Sequence, residues 1–176
     1  MNIQLRRWSA SIGAAVATAS AAALLLASGA SATPPTKESF AEPYAFSVNC
    51  ADVGDFDFEN LVAGEFKAVV TTIYDVNGTA VKVKVFSSYK ETNTNSVSQK
   101  TLRVSGVSTE IFDLVLGTRT VVGKVVLATD PSVGVAFQDT GRVIFDRPGH
   151  VAFLAGPHEA LFAGLDQLVC GALATA

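Results

Sequence analysis

Two alternating runs about Asn77-Gly78 limit what this chain can fold into more than any other feature. From Glu65 to Lys90 the sequence reads EFKAVVTTIYDVNGTAVKVKVFSSYK. Its period of two belongs to a strand, whose successive side chains point to opposite faces. Asn-Gly is the strongest two-residue hairpin signal, because both central positions of such a turn need positive φ. Pairing about it sets Tyr74 opposite Val81, Thr72 opposite Val83 and Val70 opposite Val85. Phe66, Ala68, Val70, Thr72 and Tyr74 then share one face with Val81, Val83 and Val85, and Lys67, Asp75, Lys82 and Lys84 lie on the other.

The same grammar continues on both sides of that hairpin. Ala45–Cys50, Lys100–Val107, Ile111–Leu116, Thr118–Thr129, Gly134–Gln138, Arg142–Asp146 and Val151–Ala155 read as strands. Gly117, Asp130-Pro131, Gly141, Pro148-Gly149 and Gly156-Pro157 punctuate them. Glu91–Ser98 (ETNTNSVS) reads as a polar loop, and residues 33–44, with three prolines in Thr33–Pro43, as a flexible lead-in. Leu165, Leu168, Val169, Ala172 and Leu173 fit a helical stripe that closes the chain. Short strands at even spacing, with no βαβ alternation, predict an all-β fold: an antiparallel β-barrel of about eight strands with a short C-terminal helix, or a β-sandwich. The run 111–129 is apolar on both faces, which favours a barrel because a barrel has no free edge.

Residues 1–32 have the layout of a signal peptide. Arg6 and Arg7 form a charged start, Ile12–Ala27 an apolar stretch, and Ala30-Ser31-Ala32 a small-residue cleavage site. The residues after Arg6-Arg7 fit Sec export better than twin-arginine export. The expected domain is then residues 45–176, in a secreted protein without stable membrane insertion once the signal is removed. Thirteen basic and 16 acidic residues give a net charge of −3. Removing the two arginines of the signal leaves 11 − 16 = −5. A mildly acidic domain has no electrostatic footprint for nucleic acid or for an anionic bilayer surface. Two cysteines in an exported chain pair by default, so a Cys50–Cys170 disulfide is expected to tie the ends of the domain.

Sites of chemistry are sparse. In Asp55–Glu59 (DFDFE) a strand puts Phe56 and Phe58 on one face and the acids on the other, which suits a solvated face better than a converging calcium loop. His150 and His158 flank Gly/Pro turns and read as surface histidines; neither has the ligand spacing of a metal site. No nucleophile elbow and no phosphate loop is present, so neither cofactor nor metal is expected and an enzyme is disfavoured. The remaining feature is the set of 11 phenylalanines, which either fill a barrel or line a pocket in it.

TGRVIFD (Thr140–Asp146), LAGPHEALFAGLDQLVCGALA (Leu154–Ala174) and the acidic-aromatic DFDF after Cys50 carry a resemblance. The chain resembles a family of small secreted actinobacterial β-rich proteins, which implies a lipocalin-like or allene-oxide-cyclase-like barrel and transfers no catalytic residue. Three functions follow as expectations. The first is a secreted, non-enzymatic binding module holding a small apolar ligand in a cavity lined by Phe66, Val70, Tyr74, Val83, Val85, Val143 and Phe145. The second is an envelope or protein-interaction module that works through its surface. The third is a barrel-cyclase-like enzyme using Tyr74 with His150 or Glu110.

Overall fold

The computed structural model describes residues 33–175; the expected signal peptide lies outside them. Seven strands follow in order: β1 (Thr36–Asn49), β2 (Glu59–Tyr74), β3 (Ala80–Asn95), β4 (Thr101–Asp113), β5 (Thr118–Asp130), β6 (Gly134–Arg147) and β7 (His150–Ala155). Two helices end the chain, α1 (Glu159–Ala163) and α2 (Leu165–Ala174). Each strand pairs antiparallel with the next, so one meander sheet runs β1 to β7 in chain order. The all-β antiparallel class and the C-terminal helix are as expected. The ladder stays open, with β1 and β7 as its two edges.

The strands are longer and fewer than the sequence suggested, for identifiable reasons. Glu91–Asn95 continues β3 instead of forming a loop, because Asn93 and Asn95 point inward and are hydrogen-bonded there. Thr36–Tyr44, expected as lead-in, pairs with Thr72–Gly64 of β2. Thr36–Pro43 have side chains exposed on both faces, so this part shows no hydrophobic period, and Pro43 is tolerated because an edge strand has spare N–H positions. Of the DFDFE segment only Glu59 belongs to a strand, the first residue of β2, and Asp55–Phe58 lie in the link before it, yet Asp55, Asp57 and Glu59 are exposed and Phe56 and Phe58 half-buried as the alternation required. Leu114–Leu116 leave the strand at Asp113 and form the β4–β5 turn.

The central hairpin keeps most of its expected register, with Thr72 opposite Val83 and Val70 opposite Val85. Its turn differs. Tyr74 faces Ala80 across an irregularity, and of Asn77 and Gly78 only Gly78 has positive φ, at 79°. Asp75 takes over the turn, its Oδ1 accepting the amides of Asn77 and Thr79 at 2.9 and 2.8 Å.

Both faces of β5 look apolar in sequence because the strand changes phase. Val125 is an extra residue relative to both neighbours: Ser105 faces Leu127 while Val107 faces Lys124, and Lys124 faces Thr140 while Val126 faces Asp139. A bulge of this kind shifts every later side chain to the opposite face. It turns Val126 and Ala128 inward to join Leu102, Val104, Tyr89 and Phe137. Gly106 makes room for it, since a Cβ there would stand 2.3 Å from the Val125 carbonyl oxygen and 2.4 Å from the Tyr89 ring. The Tyr89 hydroxyl donates to that same carbonyl at 3.0 Å.

Helix α2 covers this half of the inner face. Val169 and Leu173 enter the cluster, with Leu165, Leu168 and Ala172 packed around it, as the helical stripe predicted. Cys170 on the helix is bonded to Cys50 in the short 3₁₀ turn after β1, with 5.7 Å between their Cα atoms. A second apolar cluster, Ala68, Val83 and Val85 with Phe66, Val70 and Phe112, occupies the half that the helix does not reach. Between the two runs a rung of small residues, Ala68–Ser87–Ser108–Gly123–Gly141, and Phe66 touches both clusters.

Candidate functional site

The uncovered half of the inner face is where the expected ligand residues meet. One rung reads Val70–Val85–Glu110–Val121–Val143, and the next Thr72–Val83–Phe112–Arg119–Phe145. Phe66 stands nearer the helix, and Tyr74 lies at the strand end, its hydroxyl 3.2 Å from the Thr36 hydroxyl. The register thus gathers Val70, Val83, Val85, Val143 and Phe145 and leaves Tyr74 at the margin. Val83, Val85 and Val143 are only 7%, 2% and 4% exposed, so protein atoms already cover them.

Arg119 packs against the aromatic rings of the same face. Its guanidinium carbon lies 5.6 Å from the Phe112 ring centre and 5.5 Å from that of Phe145, and the cation is attracted to both ring faces. Its Nε and Nη2 donate to Glu110 Oε2 at 2.9 and 2.8 Å. The pair neutralises itself inside an apolar surround, where a lone charge would be costly. Sequence reading did not find this pair. The signal was present: one charge on each arm of the β4–β5 hairpin sits at an inward position among apolar neighbours.

A second polar group lies under β1 to β3. Tyr44 donates its hydroxyl to Glu91 Oε2 at 2.6 Å, Asn93 donates to Glu91 Oε1 at 3.0 Å, and Asn60 donates to Asn93 Oδ1 at 2.8 Å. Asn60 Oδ1 is buried without a partner. Burial, then the Glu91 hydrogen bond, pushes the Tyr44 phenol above its ordinary range. Burial foremost does the same to Tyr89. Both phenols therefore stay protonated at neutral pH and serve as donors, and neither is poised as a base.

The two histidines part company. His150 is exposed and bonded to Asp146, as a surface turn requires. His158 is buried, against expectation, because the β7–α1 link folds back onto β6 through an isolated bridge to Asp139. Its Nδ1 lies 2.7 Å from Asp139 Oδ1 and its Nε2 3.0 Å from the Ala155 carbonyl oxygen. Both ring nitrogens are thus engaged, one with a carboxylate and one with a backbone carbonyl. Asp139 Oδ2 also accepts the Leu161 amide at 3.2 Å, which holds α1 to the sheet. His158 acts here as a clamp. The residues considered for a cyclase are engaged apart from one another: Tyr74 with Thr36, Glu110 with Arg119, His150 with Asp146. Among the described residues no three His, Cys, Asp or Glu side chains are grouped to hold a metal ion.

An open cleft lies at the helix end, lined by Gln99, Lys100, Thr101, Asp130, Pro131, Ser132, Val133 and Thr175. Lys100 crosses it, contacting Asp130 Oδ2 at 3.1 Å and the Thr175 carbonyl oxygen at 2.6 Å. No expected site residue lies there.

No protein-family model, curated protein or solved structure matches the chain. Among the described residues no helix is long and apolar enough to cross a membrane.

Proposed function

We propose that this chain is a secreted, non-enzymatic interaction module that meets an envelope component through exposed apolar side chains of its sheet. One contrast carries the reading. Of the apolar residues suited to lining a cavity, Val83, Val85 and Val143 are buried, whereas Phe86 and Val122 on the outer face and Leu114–Leu116 at a turn stand in solvent. Phe86 and Val122 flank Thr109 on a single rung, so the outer exposure is partly continuous. Runs of exposed apolar surface mark contact sites in soluble domains, while single exposed side chains do not. The disulfide fits an oxidising compartment, as the N-terminal 32 residues predict.

A second reading, the carrier of a small apolar ligand, draws on the half-buried Phe66, Val70 and Phe112 beside Arg119. Photo-crosslinking residues placed at Phe86, Val122 and Phe153 in producing cells separate the two. The module gives a crosslinked partner from at least one position. No crosslink from any of the three, together with a small molecule of a few hundred daltons released only on unfolding, would replace it with the carrier.

A further inference from the structure

Residues opposite one another in a ladder share a face, so the register sorts the charges of the sheet. Eight of the 11 basic residues left after Arg6 and Arg7 stand on the outer face with Phe86 and Val122. Lys37 and Lys84 share one rung through Thr71, and Arg142 ends the next, which runs Phe86–Thr109–Val122–Arg142. Lys67 and Lys124 share the third through Ser88 and Val107. The inner rungs carry the opposite sign, Glu38, Glu42, Glu91 and Glu110 against Arg119. An acidic net charge therefore hides a basic face.

Few of these cations are neutralised within the protein. Lys67 lies 3.5 Å from Glu65, and Lys82 3.6 Å from Asp113. The other six, Lys37, Lys84, Lys90, Arg103, Lys124 and Arg142, have no ion-pair partner among the described residues. Arg142 lies 5.9 Å from the ring centre of Phe153, which is itself 48% exposed. Along β3, Lys84 and Lys90 stand about 20 Å apart, six strand residues. Cations spread over a sheet face without counter-charges raise a positive field that draws a multivalent anion more strongly than a single small one.

We infer that the outer face binds an acidic polysaccharide, its carboxylates among the lysines and its sugar rings over Phe86. The inference rests on the interaction-module reading and names the chemistry of its partner. Charge complementarity fixes the sign, and the residues between the cations fix the class. Thr71, Ser88, Thr109 and Thr120 present hydroxyls on the same face, none of them in a side-chain hydrogen bond among the described residues, and a hydroxyl both donates and accepts. Protein contact sites are depleted in Lys and Ser, the residues this face is built from. Six of the eight cations are Lys, compact point charges, whereas planar phosphate recognition favours Arg. Single-stranded nucleic acid asks for aromatic platforms in series, and Phe86 on β3 and Phe153 on β7 stand four strand spacings apart, about 19 Å.

The test is retention of the full chain by immobilised polygalacturonate, a polymer of sugar carboxylates, beside dextran, duplex DNA and phosphatidylglycerol vesicles. Polygalacturonate is expected to hold the protein at low ionic strength and neutral dextran to let it pass. Salt at about 1 M, where screening acts within roughly 3 Å, should release it. K84Q combined with K90Q and K124Q should weaken binding by about tenfold or more, since one exposed charge contact is worth up to roughly fivefold. F86A should weaken it several-fold, and R147Q, which removes a charge at the β6–β7 turn, should leave it unchanged, with the far-ultraviolet spectrum of each variant that of the wild type. No retention by polygalacturonate, retention that the triple variant keeps, or equal or stronger retention by DNA or vesicles overturns the inference. If Phe86 or Val122 crosslinks to a protein in producing cells while polygalacturonate lets the chain pass, the module reading survives and an acidic polysaccharide is the wrong partner.

Discussion

Asp130 shows how one side chain can hold a turn and a terminus together. Its Oδ1 accepts the Ser132 amide at 2.8 Å and the Ser132 hydroxyl at 2.6 Å, and Oδ2 meets Lys100. These bonds, those of Ser132 foremost, draw the Asp130 carboxyl down from 3.8 to about 2. A depressed carboxylate adds stability in full above its unfolded value and loses it as pH falls through the folded one. The contribution of Asp130 is therefore present at neutral pH and fades between about pH 4 and pH 2. Thermal melts of the wild type and D130N should show a gap at neutral pH that closes over this range; a gap that persists at pH 2 would assign the effect to packing. Lys100 gains from the same contact, since it also holds Thr175 at the end of α2.

Among the strands, β5 and its bulge govern which residues become core. The Val125 carbonyl accepts the Tyr89 hydroxyl and faces the open side of Gly106, so three strands share one device. Adding a single methyl at Gly106 would press on backbone and ring together, and neither is the loose end of a side chain. G106A is expected to cost about 2 kcal/mol, in the range of overpacked cores, and to lower the melting temperature by several degrees. Denaturant unfolding measures this directly; an unchanged midpoint would mean that the bulge relaxes freely. The bulge also explains the misleading pattern of the β5 part of the run, residues 118–129. Period-two reading assumes an unbroken ladder, and an inserted residue reverses inside and outside without marking the sequence.

The described residues form an open sheet with a helix packed on part of its inner face, and one covalent bond joins the two layers. Cys50–Cys170 spans 120 residues. Chain-entropy arguments give such a closure about 4–5 kcal/mol. Reduction, or C50S with C170S, should lower stability by an amount of this order and free α2 before the sheet melts. Near- and far-ultraviolet dichroism followed together on heating would reveal that order, and coincident loss of both signals at an unshifted temperature would refute it. The uncovered half depends instead on its own side chains, Arg119 between Phe112 and Phe145 with Glu110 beside it. The exposed Leu114–Leu116 turn lies beyond that half, at the end remote from the helix.

Local chemistry sufficed for the antiparallel class, the central hairpin, the closing helix and the cysteine pair. Each rests on neighbours in sequence or on a count: alternation in Phe66–Tyr74, the stripe from Leu165 to Leu173, two cysteines and no third. Tertiary structure decided what no neighbour encodes. Asn93 and Asn95 read as loop because their polarity is visible in sequence while their partners, Asn60 and the Leu173 carbonyl, are brought to them only by folding. His158 read as exposed until Asp139, 19 positions earlier, met it across a bridge. Val83, Val85 and Val143 are apolar and inward on any reading, but their burial to 7%, 2% and 4% exposure depends on side chains that only folding brings together. Hydrophobic pattern reports the direction in which a side chain points; what occupies the space it points into depends on residues far away along the chain.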